Sequence, residues 1–217
     1  MEKNMYRVQR SGRFKGSTAS NIALAIEASK LHEVITGAPL GAWIVAAGWP
    51  PGTFGWTSWV ETLDQLATRN AQLIASDMWG KLEVKAANVA SEWGVDQISQ
   101  VIVLADVRGK VAQPGSRFLQ SIVRANQTAD PMEMLQWATK MAEVTGRVSG
   151  GSAGLSQCGF GSDWGAYTFS QLYPDAKALD AGFARSMASA EYLSVFMEGR
   201  KYVDTSSMRR AMMVKIA

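Results

Sequence analysis

One cysteine, Cys158, and one histidine, His32, stand in a chain of 217 residues. A lone cysteine cannot close a disulfide within the chain, which fits a reducing compartment. One histidine and one cysteine among scattered carboxylates give no metal-ligand spacing, so no metal is expected. Charge of one sign is also scarce: 22 basic against 19 acidic residues leave a net charge of +3. No basic run exceeds Arg209-Arg210, so a nucleic-acid partner is not expected. Long apolar runs are missing. The longest, Leu40 to Trp49, falls far short of the ~20 residues that span a bilayer. The opening MEKNMYRVQRSGRF has no apolar core of the secretory kind. A soluble, cytoplasmic protein with no membrane partner is the expectation.

Tryptophan is abundant. Half of the eight, Trp43, Trp49, Trp56 and Trp59, crowd one short window. That window contains GWPPGTFGW (48–56), and GFGSDWGAY (159–167) echoes it much later. Upstream, Ala28-Ser29-Lys30-Leu31-His32-Glu33-Val34 is echoed by Ala138-Thr139-Lys140-Met141-Ala142-Glu143-Val144. The offset is 110, which also relates Gly55 to Gly165 and Trp59 to Phe169. Ala75-Ser76-Asp77-Met78-Trp79 and Ala188-Ser189-Ala190-Glu191-Tyr192 follow in the same order. Such ordered self-similarity reads as two diverged copies of a domain-sized unit.

Each copy reads the same way. In the second, FLQSIVRANQ (118–127) alternates as a strand. Asp130-Pro131 starts a helix, as N-cap and first helical residue, and Gly146 stops it. SAGLSQCGF and GAYTFSQLY form a hairpin. Pro174-Asp175 opens a second helix, and MRRAMMVKI is the last strand. In the first copy the corresponding pieces are MYRVQRSGRF, a helix from about Ala19 to Thr36 ended by Gly37, and the hairpin GAWIVAAGW with GWTSWVE. A helix then starts at Leu63 and is continued from Lys81 to Trp93, and QISQVIVLADV (97–107) closes the copy. The expected class is α+β: two ferredoxin-like β-α-β-β-α-β units, residues 1–107 and 116–217, joined by a linker at 108–115. Each sheet has one face covered by helices. The other face needs a cover, and the second copy supplies it.

The unit resembles the dimeric α+β barrel superfamily. The Gly-aromatic hairpin, the Ala-Ser-x-x-aromatic stretch and the basic last strand carry the likeness. The superfamily includes antibiotic-biosynthesis monooxygenases, muconolactone isomerases, EthD-like proteins, aldoxime dehydratases and the chlorite dismutase group. The resemblance implies two sheets packed face to face, here fused in one chain, and identifies no subfamily. In its fused haem-binding members the iron ligand is a helix histidine of the second half. The 110-residue offset puts Ala142 there, so no haem, and no other cofactor, is expected.

The candidate ligand pocket comes from rings on alternating strands: Trp43, Trp56, Trp59, Tyr167 and Phe169. Arg124, on an otherwise apolar-flanked strand with Phe118, Gln120 and Ile122, would orient a carboxylate or enolate. Such a wall suits a small apolar or aromatic molecule, mainly in the tryptophan-rich first half. His32 is a candidate acid or base, against the plainer reading of a packed histidine. Cys158 has no second histidine to activate it. Gly146–Ser152 is Gly-rich but lacks a Gly-Lys-Ser/Thr ending. The functional expectation is a small-molecule-binding barrel doing cofactor-independent monooxygenase, isomerase or lyase chemistry. The alternative is a non-catalytic binding or structural/assembly protein in which duplication only closes the sheet. Assembly as a homo-oligomer is compatible with both.

Overall fold

A computed structural model describes residues 5–94, 96–105 and 112–217. The first half runs β1 (Tyr6–Phe14), α1 (Thr18–Thr36), β2 (Gly41–Ala47), β3 (Thr53–Val60), α2 (Leu63–Ile74), α3 (Asp77–Val89), β4 (Ala90–Trp93) and β5 (Gln97–Ala105). The second runs β6 (Arg117–Ala125), α4 (Pro131–Ser149), β7 (Ser152–Phe160), β8 (Tyr167–Tyr173), α5 (Ala176–Ala188), α6 (Ala190–Glu198) and β9 (Val203–Lys215). Residues 108–111 of the expected linker, with 106 and 107 before it, lie outside the described residues.

The strands pair in the order β3-β2-β9-β6-β8-β7-β5-β1, and β3 pairs back onto β1. The result is a closed antiparallel barrel that leaves no open edge among these eight strands. The short β4 adds onto the outer end of β1. Within each half the strand order is the same: β2-β3-β1-β5 and β7-β8-β6-β9. The seams are alike too, since β2 meets β9 and β7 meets β5. Two ferredoxin-like units are therefore fused as a pseudo-dimeric α+β barrel.

Local chemistry fixes the helix ends. Ser17 and Asp130 cap α1 and α4 by accepting from backbone N–H groups, and Pro131 takes the first position of α4. Both helices end at a left-handed glycine, Gly37 and Gly150. The expected stop at Gly146 is not used: that glycine is buried inside α4. The expected continuation from Lys81 to Trp93 also differs. Ser76 caps a new helix, α3, which ends at Val89 and gives way to strand β4.

The structural frame refines the offset. Thr18 and Pro131, and Thr36 and Ser149, stand 113 apart at the ends of α1 and α4. Turn glycines Gly48 and Gly161 keep that spacing, both with positive φ (90° and 118°). A Cβ at Gly48 would run into the Arg210 carbonyl. Strand pairing puts Trp56 opposite Ala42 and Phe169 opposite Leu155. Trp56, rather than Trp59, is thus the counterpart of Phe169, and Thr145, rather than Ala142, is that of His32.

The sheet has two faces. Towards the lumen, Gln9 and Gln120 exchange reciprocal amide hydrogen bonds of 3.2 Å at a separation of 111 residues. Arg7 crosses the lumen to Ser170 Oγ (3.0 Å). Under the helices the two halves differ. Trp137 and Met141 of α4 pack on Val123, Leu155, Tyr167 and Phe169 in the second half. In the first half Leu24 and Ala28 of α1 stand at the positions of Trp137 and Met141, and their smaller volume leaves a space.

Candidate functional site

That space is a cavity of about 560 Å³ between the outer sheet face of the first half and helices α1, α2 and α3. Its floor is Val8, Phe14 and Trp56 from β1 and β3; its walls include Leu24, Ala28, Leu66, Leu82 and Trp79 from the helices. Phe14 anchors the aromatic side, meeting Phe54, Trp56 and Trp93 edge to face at 5.5–5.8 Å. The size lies within the range of small-molecule pockets.

Polar groups are few and specific. Arg10 and Asp96 form a two-point ion pair (2.6 and 2.7 Å) at the rim. Its hydrogen bond raises the Arg10 pKa and keeps the guanidinium charged. Arg69 donates to the Trp59 carbonyl (2.8 Å), and Trp79 Nε1 donates to Glu83 (3.0 Å). The indole N–H of Trp56 is buried and has no acceptor among the described residues. A donor left unpaired in an apolar wall costs stability, so native structures seldom keep one without a reason.

His32 lies at the inner end, 6% exposed. Its Nδ1 is 3.0 Å from the Ala38 carbonyl, which can only accept, so Nδ1 carries the proton. Nε2 is then the lone-pair nitrogen, and it carries no hydrogen bond among the described residues. Burial pushes the His32 pKa below its ordinary value, so the ring is neutral at pH 7. The arrangement is a neutral base beside an apolar chamber.

The other candidates from the sequence lie elsewhere. Trp43 is buried and stacks at a tilt on Phe118 in the lumen (5.2 Å). Trp59 pairs with Arg7 and is 43% exposed at the barrel end. Phe169 meets Trp137 edge to face (5.7 Å), and Tyr167 is buried in the same second-half core. Arg124 sits at the barrel mouth near Ser162 and Trp164. The cavity brings together only His32 and Trp56 of that set. Cys158 pairs with Ser99, itself paired with Arg7, on the lumen side of the sheet from His32. Burial raises its thiol pKa, which removes nucleophilic character.

Sequence reasoning did not find Leu24, Ala28, Trp79 and Trp93. The signal for the first two was present: Leu24, Ala28 and His32 recur every four residues along one face of α1.

No family model and no curated protein matches the chain. Solved structures do. A protein named "Putative monooxygenase" from Fusobacterium nucleatum superposes with a TM-score of 0.74 at 8% identity, covering 100% of this chain and 94% of its own. Another of that name from Lactobacillus acidophilus gives 0.66 at 13% identity, with 100% and 95% covered. The fold is that of the dimeric α+β barrel superfamily. An anthrone oxidase-like protein (0.63, 12% identity, 100% and 92% covered) and chlorite dismutase of Candidatus Nitrospira defluvii (0.54, 9% identity, 100% and 93% covered) share it. Likeness at this level of identity speaks for the barrel alone.

A haem held on a second-half helix, as resemblance to the chlorite dismutase group implies, does not fit this chain. The inner face of α4 offers Trp137, Met141, Ala142 and Thr145, all buried, with no histidine and a filled space.

Proposed function

We propose that the first-half cavity binds a flat, largely apolar fused-ring compound with one acidic hydroxyl or activated C–H, and that the chain oxygenates it without a cofactor. The observation that carries this reading is the pairing, around one apolar chamber, of a neutral histidine with Trp56, whose buried indole N–H has no partner among the described residues. His32 Nε2 takes the substrate proton. Trp56 Nε1 donates to the oxygen on which negative charge develops, and the dry walls strengthen that interaction. The resulting electron-rich substrate reacts with O2: an activated methylene becomes a carbonyl, and water is released. The names of the superposed structures, monooxygenase and anthrone oxidase-like, are compatible with that chemistry.

The test is oxygen uptake with an anthrone-type substrate, alongside its binding. Uptake that requires both His32 and Trp56 supports the reading. Binding without uptake reduces it to a ligand-binding barrel, and no binding at all overturns it. We also propose that residues 1–107 and 116–217 are diverged tandem copies. The shared strand order and the 113-residue spacing of helix ends and turn glycines support this.

A further inference from the structure

The two Gly-aromatic turns that recur in the sequence meet at one end of the barrel. Pro50, from the β2–β3 turn, and Asp163, from the β7–β8 turn, border a second cavity of about 380 Å³ there. It opens above the Gln9–Gln120 pair and lies across the sheet from the first-half cavity. Pro50 and Asp163 stand 113 apart, the spacing of the turn glycines on either side of them.

Each half sends an arginine to this mouth. Arg13 is next to last in β1 and Arg124 next to last in β6, and their separation of 111 residues is that of Gln9 and Gln120. Their surroundings differ. Arg124 donates to the Ser162 and Trp164 carbonyls (3.3 and 3.4 Å) and lies 3.8 Å from the Asp163 carboxylate. Asp163 is 4% exposed and also takes hydrogen bonds from Arg209 and Gln97. On the other side Pro50 fills the matching turn position and brings no carboxylate. Glu92 faces Arg13 across the β1–β4 pair, yet Arg13 makes no ion pair among the described residues.

Three arginines, Arg13, Arg124 and Arg209, stand here with three carboxylates: Asp163, Glu92, and Asp204, which faces Arg124 across the β6–β9 pair. Deeper in the lumen, Arg7 is buried, with its Nε unpaired among the described residues. Burial lowers its pKa to about 10, so it stays charged at neutral pH and adds to the positive potential of the shaft.

We propose that this end of the barrel is a second binding site, for a small carboxylate whose oxygens pair with Arg13 where Asp163 serves Arg124 in the other half. The second half carries its anion covalently, as a side chain. The first half has the arginine and the room, its turn brings no acid, and Glu92 alongside makes no ion pair with Arg13 among the described residues. An arginine fork matches a carboxylate in two-point geometry.

The experiment is a melting-temperature titration of the full chain with malonate, with inorganic phosphate and chloride at matched ionic strength. At ten times Kd, malonate should raise the melting temperature by roughly 3–6 °C. Arg13→Gln should weaken that response at least about tenfold. Pro50→Asp, which ties a carboxylate into the vacant place, should abolish it even if Arg13→Gln folds poorly. Trp56→Ala should keep it, which separates this site from the apolar cavity. A chloride shift equal to that of malonate overturns the proposal, as does an unchanged response in Pro50→Asp. A response to phosphate with none to malonate overturns the carboxylate assignment.

Discussion

Replacing Ala28 by Met would put on α1 the side chain that α4 carries at the matching position, Met141. Ala28 borders the first-half cavity and is half-buried, whereas Met141 is buried in a filled core. Met adds three heavy atoms beyond Cβ. At about 0.8 kcal/mol per buried methylene-sized group the gain is at most ~2.4 kcal/mol. Ordering the flexible side chain costs up to about 1.5 kcal/mol. The net expectation is a stabilisation of about 1 kcal/mol, or roughly 2–4 °C in melting temperature for a chain of this size.

The same atoms would occupy the proposed ligand volume. Binding of an apolar fluorescent probe should therefore weaken by about tenfold or more while stability rises. Calorimetry gives the first quantity and a fluorescence titration the second. The sign decides the matter, because pushing Met into a packed site costs about 1–3 kcal/mol instead. A lower melting temperature would mean that the space is not free. Unchanged probe binding would mean that the ligand does not sit there.

Trp56→Phe should leave stability nearly unchanged, because the lost N–H has no partner among the described residues, while affinity for an oxygen-bearing ligand falls about tenfold; melting curves with and without ligand separate the two. His32 has a folded-state pKa below its ordinary 6.5, so the unfolded chain takes up the proton first as pH falls. Stability should therefore decline from pH 6.5 down to the folded pKa and then level off. His32→Gln should flatten that decline in urea midpoints measured from about pH 8 to about pH 5. Gln9→Leu should cost about 1–3 kcal/mol by orphaning the Gln120 amide, and adding Gln120→Leu should recover much of the loss in denaturant titrations.

Much of the barrel could be read from local chemistry. Strand alternation, the Asp130-Pro131 start and the Gly37 stop are short-range signals, and the structure uses all three. Gly146 misled because a glycine that ends a helix and one that lets a helix pack closely look alike in sequence. The offset of 110 came from setting Ala28–Val34 against Ala138–Val144 and Gly55 against Gly165, and it carried Trp59 onto Phe169. Register instead pairs Trp56 and Phe169 with the second strands of their hairpins, so the true partner was three residues away. The site was harder to read. Alternation sorts the rings into two faces, but it does not say which face holds a hole. That depends on side-chain volume at matching positions of α1 and α4, where Leu24 and Ala28 in one half correspond to Trp137 and Met141 in the other. Volume differences between distant segments become meaningful only once the two helices share a frame.

The unequal halves make one more outcome testable. Trp137 is 8% exposed, donates to the Val195 carbonyl (2.8 Å) and packs against Phe169 and Tyr202. Trp137→Ala should cost about 3–5 kcal/mol, the range for a large core ring. The question is where that loss is felt. β2 is paired to β9 and β5 to β7, so the first-half sheet has its outer ladders only through the second half. Opening either seam exposes unpaired backbone on both sides. The barrel should thus unfold as one unit, with the filled half holding up the half that keeps a cavity. Hydrogen exchange reads this directly: amides of β1 and β3 should lose as much protection in Trp137→Ala as those of β6 and β8. If β1 and β3 keep wild-type protection while β6 and β8 lose it, the halves are separate folding units and the cavity must be stable on its own packing.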